Sequence, residues 1–310
     1  MNTNLPEYIA VDIAKTSLRL QSQSTGFDLK NNETGFRELS THAATLREPL
    51  VVMEATGGYE RPLMRFLAKN HIAMVLVNPS RVRSFAASEG QKAKTDPIDA
   101  EVLLHFARNK KLRKMPTPAP HQNELTELMD RRDQLAGEIA REKNRLEKQP
   151  QYIQASIKKV IRMLEKEQVA IEKRIEVLIS AHVDMSSASE AMQSVSGVGK
   201  ITAWTLLTHL PEITRINRNQ LVALAGLAPY NRDSGKTNRR RKICAGRAKV
   251  RKCLYMAAMS AAIHNEHIRT YVERLRSKGK PYRCAIVAAM RKLLLHLQSI
   301  LKRKQIMLAS

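Results

Sequence analysis

Four carboxylates in the first hundred residues stand where charge is expensive or unusually well aimed. Asp12 falls within the apolar run Tyr8 to Ile13, and Glu54 closes the apolar run Leu50 to Glu54. An ionised carboxylate buried in such a strand without a partner costs several kcal/mol, so something cationic must meet each one. If the two strands are neighbours, about 4.8 Å apart, both acids face one point at the sheet edge. That geometry suits Mg²⁺, which takes few protein carboxylates and keeps water and phosphate as its other ligands. Asp96 and Asp99 add a second pair at the start of a predicted helix from Pro97 to Arg108, where both project from the first turn. Taken alone, Thr95-Asp96-Pro97-Ile98-Asp99 reads as an ordinary helix start, and Asp12 as half of a buried ion pair. Taken together, in the order strand, strand, helix, they make the acid set of a phosphoryl-transfer site that could hold two metal ions.

The second half of the chain offers a different chemistry. Gly197-Val198-Gly199, followed by Lys200, lies between predicted apolar helices and resembles a helix-hairpin-helix, whose backbone N–H groups can hold a phosphate without reading bases. Glycines kept for close packing are the alternative. Downstream, Lys236, Arg239, Arg240, Arg241 and Lys242, then Arg247, Lys249 and Arg251, form a strip that repels itself unless a counter-charge such as a phosphate backbone meets it. Among them Ser234 sits in Asp233-Ser234-Gly235, the composition of a plain turn. A serine hydroxyl needs a base or a metal before it can attack, and Lys236 is the one base evident beside it.

Composition narrows the partners. The 310 residues carry 53 Lys and Arg against 29 Asp and Glu, a formal charge of +24, which calls for a polyanion and makes nucleic acid the first candidate. The longest uninterrupted apolar stretches, such as Ala73 to Val77, are far too short to cross a bilayer. No signal peptide pattern opens the sequence, and Cys244, Cys253 and Cys284 lack pairing or zinc-ligand spacing, so a reducing cytoplasm is expected. Aromatic residues make up only 4 %, which favours contacts to phosphates over a platform of stacked bases.

The elements that must position these residues follow from periodicity. Strands are predicted at Tyr8 to Ile13, Ser17 to Gln21, Phe27 to Asn31, Leu50 to Glu54 and Ala73 to Asn78, with helices over Gly35 to Leu46 and Glu60 to Lys69. This is a mixed sheet carrying helices, over residues 1–115. From 116 to 185 the helical spacing of Leu125, Leu128, Leu135, Ile157, Ile161, Ile171 and Ile175 predicts one long helix or a hairpin bent at Pro150, as a coiled-coil connector. Residues 186–310 read as a basic, mainly α-helical domain, ending in helices over Lys249 to Asn265 and Cys284 to Leu301.

Three spans of the first domain, Val11-Asp12-Ile13-Ala14-Lys15, Met53-Glu54-Ala55-Thr56-Gly57-Gly58-Tyr59 and Lys94-Thr95-Asp96-Pro97-Ile98-Asp99-Ala100-Glu101, resemble the DEDD, RuvC-like domain of insertion-sequence-110 family transposases. In the second, Ser196-Gly197-Val198-Gly199, Ala225-Gly226-Leu227-Ala228-Pro229, Asp233-Ser234-Gly235 and Gly279-Lys280-Pro281 resemble, in the same order, the serine-containing domain of that family. The resemblance implies an RNase H-like domain with Asp12, Glu54, Asp96 and Asp99 as magnesium ligands, and Ser234 as a nucleophile that joins covalently to DNA. It further implies donor and target DNA as substrates, a structured bridge RNA as guide, and a homo-oligomer, a dimer or, in the synaptic complex, a tetramer. Two other readings fit the residues: a junction nuclease whose acids activate water, and a non-catalytic protein that bridges nucleic acid.

Overall fold

The chain is described by a computed structural model over residues 6–23, 25–90, 96–112, 114, 120–230, 242–243 and 246–308. It divides into two units, residues 1–118 and 119–310. The first is mixed α/β; the second is mostly helical.

In the first unit the apolar runs become a five-stranded sheet in the order β3-β2-β1-β4-β5. The strands are β1 (Tyr8–Ile13), β2 (Ser17–Gln21), β3 (Gly26–Lys30), β4 (Leu50–Glu54) and β5 (Ala73–Val77). The hairpins β1-β2 and β2-β3 are antiparallel, whereas β4 and β5 continue parallel to β1. Parallel neighbours need crossovers, and helices supply them. Helix α1 (Glu33–Ala44) joins β3 to β4 and α2 (Arg61–Lys69) joins β4 to β5; α3 (Pro79–Ser88) and α4 (Asp96–Asn109) follow.

Alternation along the strands decides which helix covers which face. Ile9, Val11 and Ile13 of β1 and Val51 and Met53 of β4 share a core with Phe36 and Leu39 of α1 and Leu63 and Leu67 of α2. The alternate residues, Ala10, Leu50 and Val52, share the opposite core with Val82 and Phe85 of α3 and Leu103, Leu104 and Phe106 of α4. The sheet is thus filled on both sides. Helix α3 had no counterpart in the periodicity; its start at Asn78, whose side chain caps Ser80 N at 2.8 Å with Pro79 first in the helix, is the signal that could have found it.

The second unit begins with two long helices, α5 (Pro120–Leu146) and α6 (Gln151–Ser180), so the expected alternative of a single straight helix is replaced by the hairpin. Pro150 sits at the N-cap of α6, where its missing N–H costs nothing. Ion pairs Arg132 to Glu172 at 3.0 Å and Lys143 to Glu165 at 2.8 Å run across the hairpin in antiparallel order. Its apolar seam, with Leu125, Leu135, Ile171 and Ile175, includes Met185 and Trp204 from the following helices.

Those helices are α7 (Val183–Gln193), α8 (Lys200–His209), α9 (Arg218–Leu224), α10 (Ala248–His264), α11 (Glu266–Ser277) and α12 (Tyr282–Leu308), with a short antiparallel ladder of β6 (Pro229–Tyr230) and β7 (Lys242–Ile243). Helix α11 lies between the two helices expected from periodicity; Asn265, whose side chain accepts from Ile268 N at 3.2 Å, both ends α10 and caps it. Residues Tyr282–Lys304 of α12 are long and apolar enough to cross a membrane by length and composition. No uninterrupted apolar run in it is that long, and Ile286, Met290, Leu293, Leu294 and Leu297 place its apolar face in the core of this unit.

Gly197 shows how tightly α10 is packed. Its φ is +94°, and a methyl group added there would lie 2.5 Å from the backbone nitrogen and Cα of Ala261. Gly197→Ala should therefore destabilise the second unit by about 2–4 kcal/mol through overpacking and backbone strain. A thermal melt that shifts by no more than about 1 °C would contradict this packing.

Candidate active site

The register of β1 on β4 fixes the relation between the first two acids. Pairing runs from Tyr8 with Leu50 to Val11 with Met53, so the next pair in the same register is Asp12 with Glu54. Paired residues in neighbouring strands project to the same side. Asp12 follows Ala10 by two and Glu54 follows Val52 by two, so both carboxylates belong to the face covered by α3 and α4. Because β1 and β4 are interior strands, the acids lie at the strand ends and not at a lateral sheet edge as expected. Both are half-buried, and both interact with neighbouring groups.

Asp96 is the first residue of α4 and Asp99 lies one turn along it, half-buried beside the buried Ala100. The helix packs on β1, β2 and β4, on the same face as Asp12 and Glu54. The Asp96 side chain is outside the described residues. Among the described residues no group of three or more His, Cys, Asp or Glu side chains converges as a metal set, so convergence of all four acids belongs to the proposal below.

The turn leaving β4 is organised by a residue that sequence reasoning placed only at a helix start. Glu60 is buried, 7 % exposed, at the N-cap of α2. Its carboxylate accepts from Gly58 N at 2.8 Å, Thr56 N at 3.2 Å and Thr56 Oγ1 at 2.6 Å. Burial pushes its pKa up, but these hydrogen bonds to the ionised form outweigh burial and hold it below the ordinary glutamate value. Asn31 Nδ2 adds a second tie, donating to Ala14 O at 2.8 Å and Tyr59 O at 3.4 Å, and so links the turn after Asp12 to the turn after Glu54.

In the second unit the sequence-predicted phosphate strip divides. Ser234, Lys236, Arg239, Arg240 and Arg241 lie outside the described residues, as does the side chain of Lys242 in β7. The flanks of that segment are described. β6 and β7 pair Tyr230 with Lys242, and Gly246, at φ +71°, packs so closely on Gly226 that any side chain would strike its backbone. Arg247 donates to His209 O at 2.8 Å and Glu212 Oε1 at 2.5 Å. Lys249 Nζ is ion-paired with Asp130 of α5, with Asp133 at 4.0 Å, and Arg251 also has a partner. Arg247 and Lys249 thus hold ion pairs within the unit. Burial holds the imidazole of His209 beside them below its usual pKa, with Lys249 adding to the effect.

Gly197 is explained by its packing on α10. Gly199 is the N-cap of α8 and faces open space, and Lys200 Nζ lies 5.4 Å from the centre of the Trp204 ring. Cys253 and Cys284 are free thiols, the first shielded so that burial pushes its pKa up.

The first unit is thus a mixed parallel-and-antiparallel sheet with acids at two adjacent strand ends, and a basic helical unit follows. Comparison with known proteins makes this specific. A model for the DEDD transposases of the IS110 group, described as Transposase, matches residues 9–151, and a model described as Transposase IS116/IS110/IS902 family matches residues 189–273. The chain belongs to the IS110 family of transposases. It is 25 % identical over 299 residues, 93 % of each chain, to the pilin gene-inverting proteins of Moraxella bovis and of Moraxella lacunata. It is also 28 % identical over 124 residues to an uncharacterised 43.6 kDa protein of insertion element IS110 from Streptomyces coelicolor, covering 39 % of this chain and 30 % of that one.

Two outcomes follow. The low pKa of Glu60 means its contribution is fully present above the ordinary glutamate range and is lost as pH falls through its lower folded value. Glu60→Gln should cost about 1–3 kcal/mol at neutral pH and flatten the acid side of the stability profile, read by urea unfolding against pH. Lys249→Met should destabilise the second unit by about 1–2 kcal/mol through loss of the ionic hydrogen bond to Asp130, with partial exposure discounted, and so lower the melting temperature; a residue serving only phosphate would leave the melt unmoved.

Proposed function

We propose that this chain is a DNA transposase, or recombinase, of an insertion sequence, in which Asp12, Glu54, Asp96 and Asp99 hold Mg²⁺ and Ser234 is the nucleophile. The observation that carries this reading is the placement of Asp12 and Glu54 at one level, on one face, at the ends of adjacent parallel strands, with α4 and its Asp96 and Asp99 packed on the same face. The sheet order and the helices on both faces suit an RNase H-like, RuvC-like domain, and the α5–α6 hairpin suits a coiled-coil connector. Inverting a gene, as the names of the Moraxella relatives state, requires DNA to be cut and rejoined; carried over, DNA is the substrate here.

Oxygen-only, partly hydrated coordination at a few carboxylates matches the donor set of the four acids. Magnesium, when bound, would offset charge on the scissile phosphate and favour ionisation of a nearby hydroxyl. The chain's own part is the transfer. Ser234 Oγ attacks phosphorus and gives up its proton, for which Lys236 or solvent is the acceptor. The bond from phosphorus to the oxygen of the departing strand breaks, and that oxygen takes up a proton. The serine phosphodiester keeps the bond energy for rejoining. A guide RNA that pairs with donor and target DNA, and assembly of dimers into a tetramer, complete the proposal and are supported by family membership.

The test is incubation of the chain with element-end DNA, the element's RNA and Mg²⁺, followed by denaturing electrophoresis. A DNA adduct is expected that disappears with Ser234→Ala and falls at least ~100-fold with Asp12→Asn. An adduct that survives Ser234→Ala, or strand cleavage with no adduct, overturns the serine mechanism, and the latter favours water activated by the acids.

A further inference from the structure

The corner between α11 and α12 is a second cationic feature, separate from the acids and from the Ser234 segment. Arg274, Arg276, Lys278, Lys280 and Arg283 fall within residues 274–283, which contain no carboxylate, and all five are exposed. Among the described residues none of the five has an acidic side chain within salt-bridge distance; Glu273 and Glu266 are the nearest acids in sequence. This contrasts with Arg247 and Lys249, whose charges are spent internally. Five unneutralised cations in ten residues repel one another, an arrangement that a polyanion relieves.

What sets this corner apart from a solvated charged face is where the rings lie. Tyr282, 41 % exposed, stands at the start of α12 with the Arg276 guanidinium 5.6 Å from its ring centre. Further along the same helix pair, Tyr271 has Lys292 Nζ at 4.7 Å and the Arg274 guanidinium at 5.4 Å from its ring centre. Tyr271, Arg274 and Lys292 line an open cleft with Glu266, His267 and Thr270. In a chain with so few aromatics, two tyrosines beside cations on one helical pair are a pattern, since a ring flanked by guanidinium or ammonium groups offers a stacking surface and a phosphate clamp at one place. A duplex, its bases already stacked, uses only the charges. An unpaired strand uses both.

We propose that the α11–α12 corner grips an unpaired nucleic-acid strand, with a base stacked on Tyr282 and the flanking phosphates on Arg276, Lys278 and Lys280, the strand continuing towards Tyr271. The proposal deepens the recombinase reading and rests on its nucleic-acid substrate, but not on the serine or metal chemistry. Strand exchange exposes unpaired nucleotides, and a grip of this kind would hold such a segment during the phosphodiester chemistry.

The full-length chain is titrated, by fluorescence anisotropy, into a labelled unstructured oligouridine, a labelled oligothymidine and a labelled duplex DNA of equal length, over a series of salt concentrations. Tyr282→Ala should weaken binding of both single strands by about tenfold and of the duplex by less than about twofold, because stacking needs an unpaired base. Tyr282→Phe should bind like the unaltered chain. The pair Arg276→Gln, Lys280→Gln should reduce the salt slope for single strands by about 0.7 per cation removed. Equal losses for single strands and duplex in Tyr282→Ala, or no loss at all, would overturn the proposal, as would failure of the Phe variant to retain binding. Tyr282 is at the surface, and thermal melts verify that each variant remains folded. Adduct formation at Ser234 is scored separately, so failure of this grip and failure of the serine mechanism are told apart.

Discussion

The pairing of β1 with β4 governs everything the first unit can do. Parallel strands put equivalent positions side by side and on the same side of the sheet, so a single offset along the chain decides whether two acids meet or point apart. Here it levels Asp12 with Glu54, and the crossover through α1 that makes the pairing parallel also leaves the opposite face to α3 and α4. A slip of one residue would turn Glu54 towards the apolar layer of α1 and α2, where no carboxylate could remain charged.

The acids then need a rigid support. Glu60 gathers the amides of Thr56 and Gly58 and the Thr56 hydroxyl into one buried carboxylate, and Asn31 fastens the adjacent turn to the same region. Neither group has to touch a substrate to matter; both fix the exits of the strands that carry Asp12 and Glu54. The second unit uses charge in the same supporting manner, with Arg247 and Lys249 pinned to Glu212 and Asp130.

The strands and most helices were legible because their periods are strong. Tyr8 to Ile13 and Leu50 to Glu54 could hardly be other than buried strands, and the acids in them stood out for that reason. Helices α3 and α11 were not legible from hydrophobic spacing, since each follows the preceding element at once, with a single capping asparagine between them. Tertiary use of charge was hidden as well. Lys249 and Asp130 are far apart in the chain, and nothing in the local pattern tells a lysine that closes a helix contact from one that awaits a phosphate. Glu60 was visible only as part of a helix start, although a buried acceptor following Thr56-Gly57-Gly58 is the kind of feature that turn composition hints at.

The link between Asp130 and Lys249 has a mechanical side. Lys249 lies in the first turn of α10, just after Arg247, whose backbone nitrogen donates to Leu224 O and whose side chain grasps the end of α8. The long hairpin is therefore bolted to the very place where the chain re-emerges from the Ser234 segment. Tilting the hairpin, as a partner seizing its far end would do, pulls on that junction like a lever on its fulcrum, so leverage applied tens of residues away is delivered at the start of α10.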